Sequence, residues 1–237
     1  MHERLRHSSF FPPVETALAE PNGLLAMGGD LAPERLLDAY RHGIFPWFNP
    51  DEPILWWSPD PRMVLVPREV RVTRSLAKRL KNAGFELRLD TAFVDVMRAC
   101  GAPRPGACGT WISPQMVAAY TRLHRLGYAH SIETWHDGEL VGGLYGVAIG
   151  RMFFGESMFS RMPDASKVAL VRLARQLDRW GFGLIDCQME TAHLASMGAR
   201  TMPRAAFTAR LAELVNWPHL PAPWRFDPET PADAASL

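Results

Sequence analysis

A chain of 237 residues that is 47% hydrophobic and 22% charged has ordinary globular composition, which excludes a disordered chain and leaves room for one large domain or a domain plus a subdomain. Its formal net charge of +1 supplies no global attraction to nucleic acid, so any such partner must be held by a local basic patch. The three cysteines, Cys100, Cys108 and Cys187, lack metal-type spacing and leave an odd one over, which fits a reducing, cytoplasmic setting, and no run suits a signal peptide or a membrane span.

Residues 1–62 read as a small N-terminal subdomain and residues 63–237 as a main domain with a Pro-rich C-terminal tail. The first part holds one predicted helix, opened by Pro33 and stopped by Gly43, with Leu36, Leu37 and Tyr40 on its apolar face. It runs into Gly43-Ile44-Phe45-Pro46-Trp47-Phe48 and then Ile54-Leu55-Trp56-Trp57-Ser58-Pro59-Asp60-Pro61-Arg62. Rings this dense in loops either staple the subdomain to the rest or wall a pocket at the junction.

A strand is expected at Met63-Val64-Leu65-Val66, then a helix over 73–83 with Leu76 and Leu80 inward and Arg74, Lys78 and Lys81 on the other face. Arg62, Arg68, Arg71, Arg79 and Arg88 thicken this basic stretch, which is either a phosphate-binding patch or a solvated helix face. Residues 85–89 read as a strand and 91–100 as a capped helix, and Ser113-Pro114 opens a helix that Gly127 closes. A strand over 130–135, the turn Asp137-Gly138 and a strand over 140–149 make a hairpin; Gly150 then leads to a third strand from Met152. Asp164 or Ser166 is expected to cap a long helix that ends at Gly181, and Leu184-Ile185-Asp186-Cys187-Gln188 reads as a final buried strand. His124, His130 and His136 recur at a spacing that does not stack them as a zinc site would need.

The order of elements is α+β, and its last two strands can lie side by side. Glu156, in Phe153-Phe154-Gly155-Glu156-Ser157-Met158-Phe159-Ser160, is either a solvent-facing residue of an edge strand or a buried carboxylate that needs a partner. Strand adjacency would bring Glu156, Asp186 and the amide of Gln188 to one cleft.

The chain resembles the leucyl/phenylalanyl-tRNA–protein transferases. The resemblance is carried by Pro21-Asn22-Gly23-Leu24-Leu25-Ala26-Met27-Gly28-Gly29-Asp30-Leu31, by the two aromatic segments above and by Gly109-Thr110-Trp111-Ile112. Gly155-Glu156-Ser157-Met158-Phe159-Ser160 with Ala165-Ser166-Lys167, and Leu184-Ile185-Asp186-Cys187-Gln188, carry it further. It implies a small N-terminal domain joined to an acetyltransferase-like mixed sheet flanked by helices. It also implies transfer of Leu or Phe, less well Met, from aminoacyl-tRNA to the α-amine of proteins beginning with Arg or Lys, marking them for degradation.

Aminolysis of an ester is downhill, so no ATP, redox cofactor or metal is expected, and no P-loop or dinucleotide motif is present. The resemblance implies that Asp186 accepts or orients the amine, that Gln188 hydrogen-bonds the amine or the oxyanion, and that Glu156 meets the acceptor's charge or the terminal ribose. Leu144, Phe153, Met158, Ser160, Leu170 and Ile185 are expected to form the aminoacyl pocket, with Leu144 standing where some relatives have the more pliant Met. Trp47 and Trp111 are expected against substrate, and Arg74, Lys78 and Lys81 against the tRNA acceptor stem. The enzyme is expected to be a monomer. Two rivals remain: an acyl-CoA N-acetyltransferase, which would want a Gly-rich pyrophosphate turn near Ser160, and a non-catalytic RNA-binding module.

Overall fold

The antiparallel meander and the crossover expected from the sequence build a mixed sheet in the computed structural model, which describes residues 10–103 and 110–228. Cys108 and the tail beyond residue 228 lie outside the described residues. Three short strands, β1 (Leu24–Met27), β2 (Phe45–Pro46) and β3 (Leu55–Trp57), pair antiparallel in the order β1-β3-β2. Helix α1 (Pro33–Arg41) joins β1 to β2 and buries Leu36, Ala39 and Tyr40.

The larger sheet contains β4 (Arg62–Leu65), β5 (Glu86–Leu89), β6 (Ala129–His136), β7 (Glu139–Ile149), β8 (Met152–Ser160), β9 (Leu184–Gln188) and β10 (Arg200–Met202). Its order is β10-β4-β9-β8-β7-β6-β5, and every pair is antiparallel except β8 with β9. A parallel pair needs a long crossover, supplied by α5 (Ala165–Arg179). One face of the sheet is covered by α1, the small sheet, α3 (Phe93–Cys100), α4 (Pro114–Arg125) and α7 (Arg204–Leu214). The other is covered by α2 (Arg74–Asn82), α5 and α6 (Ala192–Ser196). Phe153 and Phe154 are fully buried on opposite faces, each worth about 2–3 kcal/mol of transfer from water. Among the described residues no helix is long and apolar enough to cross a membrane.

Local chemistry explains most of these boundaries. Asp137 and Gly138 both adopt positive φ, 49° and 78°, as a tight hairpin turn demands. Ser113 caps α4 by accepting from Met116 N. Two caps differ from expectation. Thr91 does not cap α3; the Glu133 carboxylate of β6 accepts from Thr91 and Ala92 N–H groups instead. Neither Asp164 nor Ser166 caps α5 with its side chain: Asp164 turns left-handed at φ 66°, and Ser160 Oγ at the end of β8 accepts from Ser166 N at 2.9 Å. Gly142 lets α5 start directly on the sheet, since a Cβ there would lie 2.5 Å from the Ala165 methyl.

Candidate active site

The parallel β8/β9 ladder stops early. Its pairs are Met152 with Leu184, Phe153 with Ile185 and Phe154 with Asp186, although both strands continue. Past that point the strands part, and irregularities in both aim polar side chains into the gap. On β8, Tyr145 pairs with Ser157 and Gly146 with Gly155, so Glu156 is a bulged extra residue. The bulge reverses the alternation: Phe153 and Met158, five positions apart, pack on the α5 face. On β9, Cys187 is extra between Asp186 and Gln188 in the pairing with β4. Gln188 itself is left-handed at φ 62°, a conformation that costs a non-glycine residue about 1–3 kcal/mol and persists only when its surroundings hold it.

Those surroundings are two polar clusters. In the first, the Glu156 carboxylate accepts from Tyr40 OH at 2.7 Å, from Tyr120 OH at 3.2 Å and from Gln188 Nε2 at 3.0 Å. The two tyrosine hydroxyls also bond each other. Burial pushes the Glu156 carboxyl up to about 7; the tyrosine hydrogen bonds and Arg62 oppose the rise, and the Asp186 charge adds to it. Burial, with the Glu156 charge next, holds the Tyr40 and Tyr120 hydroxyls well above their ordinary range, so both stay protonated as donors.

In the second cluster, Arg62 grips Asp186 with Nε at 2.8 Å and Nη2 at 2.6 Å, both side chains buried, and its guanidinium lies 4.8 Å from the Phe45 and Phe207 rings. Asp186 Oδ1 also accepts from Gln188 N at 2.8 Å. One expectation changes here: Arg62 is buried and belongs to no surface patch. Asp186, expected to accept or orient the amine, is held in a two-pronged ion pair with Arg62, and its bond from Gln188 N pins the Gln188 bend.

A cavity of about 460 Å³ opens over the gap. Glu156, Asp186 and Gln188 line it together with Leu144, Phe153, Met158, Leu170 and Ile185, and Trp47 and Trp111 stand at its wall. Ser160 does not reach this lining; it caps α5. Arg74, Lys78 and Lys81 also lie outside it, exposed on α2, and no carboxylate among the described residues pairs with them. Residues missed from the sequence include Tyr40, taken as helix core, Tyr120, and His193 and Leu194 of the lining. Local pattern gave no signal for the tyrosines, whose contacts to Glu156 span 116 and 36 positions.

The α5 N-terminus does not look like a pyrophosphate site. Ser160 already occupies the Ser166 N–H, and the Asp164 carboxylate sits there, paired with Lys167 at 2.8 Å. An incoming phosphate would displace the first and be repelled by the second.

Residues 29–60 match the family profile described as leucyl/phenylalanyl-tRNA protein transferase N-terminal domain, and residues 64–212 match that of leucyl/phenylalanyl-tRNA protein transferase. A leucyl/phenylalanyl-tRNA–protein transferase of Thiobacillus denitrificans is 81% identical over 227 residues, 96% of this chain and 100% of that protein. One of Nitrosospira multiformis is 64% identical over 225 residues, 95% of this chain and 97% of that protein. Among solved structures, a GCN5-related N-acetyltransferase from Kribbella flavida superposes on 72% of this chain and 61% of its own, at TM-score 0.38 and 12% identity, too loose a likeness to carry an argument. Matches that run through both sheets, to a relative covered from end to end, establish that the chain belongs to the leucyl/phenylalanyl-tRNA–protein transferase family and is an aminoacyltransferase.

Proposed function

We propose that this enzyme works in the cytoplasm and moves Leu or Phe, and less well Met, from aminoacyl-tRNA to the α-amine of proteins that begin with Arg or Lys. The new N-terminus then serves as a degradation signal. The observation that carries the reading is Glu156, a carboxylate held at about 7 between two tyrosines and Gln188, facing a cavity with an apolar wall.

An α-amine titrates near 7.7–8.0, so a base poised close to neutrality accepts its proton with little penalty. The neutral amine attacks the ester carbonyl, Glu156 takes the proton that the nitrogen sheds, and as the C–O bond breaks and the amide forms Glu156 returns that proton to the leaving 3′ oxygen of the tRNA. Gln188 orients the amine, and Asp186 with Arg62 holds Gln188 in its left-handed bend. The ionised Glu156 also favours an acceptor whose first side chain is cationic. Leu144, Phe153, Met158, Leu170 and Ile185 offer the aminoacyl side chain an apolar chamber, pliant at the unbranched Met158. Trp111 and Trp47 offer rings to the terminal adenosine, where stacking is worth about 1–3 kcal/mol per base. Arg74, Lys78 and Lys81 meet the acceptor stem.

The test is incubation with radiolabelled Leu-tRNA and peptides beginning with Arg or with Ser, with acetyl-CoA as a competing donor. Label is expected on the Arg peptide alone, undiminished by acetyl-CoA. Equal labelling of both peptides, or acetylation in place of leucylation, overturns the proposal.

A further inference from the structure

The inner end of the apolar chamber is set by Phe153, which is fully buried yet part of the cavity lining. Its ring lies across Gly146 of the neighbouring strand β7: a Cβ on Gly146 would sit 2.6 Å from two of the ring carbons. Gly146 pairs with His130 of β6, and the Trp224 indole lies flat on that imidazole, with ring centroids 3.6 Å apart and planes 6° from parallel. The indole therefore stands where the Phe153 ring would go if it withdrew from the chamber toward β6, and the two rings are in contact at a centroid separation of 6.3 Å.

Trp224 belongs to residues 218–227, a strap that packs on the α5 side of the main sheet and is fastened along its length. Arg151 donates to Pro218 O at 2.8 Å, and His219 to Gly127 O at 2.9 Å. Trp224 N donates to Asp90 Oδ2, the oxygen that also receives His130 Nδ1. Beyond it, Asp227 and Gln176 of α5 exchange two hydrogen bonds, at 2.6 and 2.9 Å. Trp180 and Phe182 close on the indole edge-on, at 5.0 and 5.8 Å. The indole Nε1 is buried without a hydrogen-bond partner among the described residues. A phenyl ring here would strand no donor, so what the indole adds over a smaller ring is its extent, which reaches both His130 and Phe153.

We infer that Trp224 is a positioning residue for donor selection: it holds Phe153 forward and so fixes the depth of the chamber that receives the aminoacyl side chain. The inference rests on the chamber assignment proposed above. Close-packed interiors do not yield gradually, so a back wall held this firmly becomes a size limit for whatever enters in front of it. The wall then discriminates against a side chain larger than Phe, such as the indole of a Trp-charged tRNA.

The test compares full-length wild type, Trp224→Phe and Trp224→Leu, with radiolabelled Leu-tRNA, Phe-tRNA and Trp-tRNA as donors and an Arg-leading peptide as acceptor. The readout is kcat/KM for each donor relative to Leu-tRNA, a ratio that loss of folded enzyme does not move. Trp224→Leu is expected to raise the Trp-to-Leu ratio about tenfold, the scale on which one hydrophobic group decides selection in such a pocket. Trp224→Phe, which keeps a ring on His130, should fall between wild type and Trp224→Leu. Wild-type ratios in both variants, or a loss common to all three donors, overturn the inference and leave Trp224 as packing for the tail. Phe153→Leu changes the chamber directly and separates the two readings. If it shifts the ratios while the Trp224 variants do not, the inference alone falls; if it leaves them at the wild-type values, the chamber assignment falls and the inference with it.

Discussion

Replacing Glu156 with Gln should stabilise the protein at alkaline pH and leave it almost unchanged in acid. Burial lifts this carboxyl from its ordinary 4.5 to about 7. Each pH unit of displacement corresponds to about 1.4 kcal/mol, so ionising Glu156 inside the fold costs about 3 kcal/mol more than ionising it in the unfolded chain. The sign follows from proton counts. Below 4.5 both states hold the proton and the group contributes no difference. Between 4.5 and about 7 the folded state keeps a proton that the unfolded chain has lost, so stability falls as pH rises; above about 7 the full cost applies. A Gln at this position keeps one acceptor oxygen and puts an amide NH2, with two donor hydrogens, in place of the other, and it never ionises. Urea unfolding followed by tryptophan fluorescence at pH 4.5, 6 and 8 measures the difference. The variant's advantage should grow by about 3 kcal/mol from the lowest to the highest pH. A difference that stays constant across the range would refute the buried, neutral-poised carboxyl.

Arg62→Leu strands the buried Asp186 charge and should cost about 3–5 kcal/mol in unfolding free energy; Arg62→Leu with Asp186→Leu should recover most of that, and a single variant as stable as wild type would show the pair to be idle. Lys78→Ala should weaken tRNA binding and reduce the salt slope by about one. Filter binding across a salt series checks this, and an unchanged slope removes α2 from the tRNA interface.

What the sequence made legible was local or set by strand adjacency. Asp137-Gly138 and Ser113-Pro114 each dictate one backbone geometry, and the structure follows them. The meeting of Glu156 and Gln188 followed from placing the last two strands side by side. The rest depends on long-range contacts or ladder irregularities that no periodicity carries. Arg62 read as one more cation in a basic stretch, yet it reaches 124 positions along the chain to Asp186. Tyr40 fitted an apolar helix face, and its hydroxyl became important only once Glu156 was folded against it. Ser160 would have shared the pocket face with Met158, but the crossover helix needed a cap and took its hydroxyl. The bulge at Glu156, invisible in residue types, decides which of its neighbours face the chamber.

The central claim is that Glu156 takes the proton from the attacking amine. Single-turnover transfer from Leu-tRNA to an Arg-leading peptide, measured from pH 5.5 to 9 in wild type and Glu156→Gln, tests it most directly. The wild-type rate should rise through an apparent pKa of about 7. The variant should lose that limb, keep only the titration of the amine near 7.7–8.0 and run about 10²- to 10⁴-fold slower. A variant with the wild-type rate and pH profile would contradict the claim.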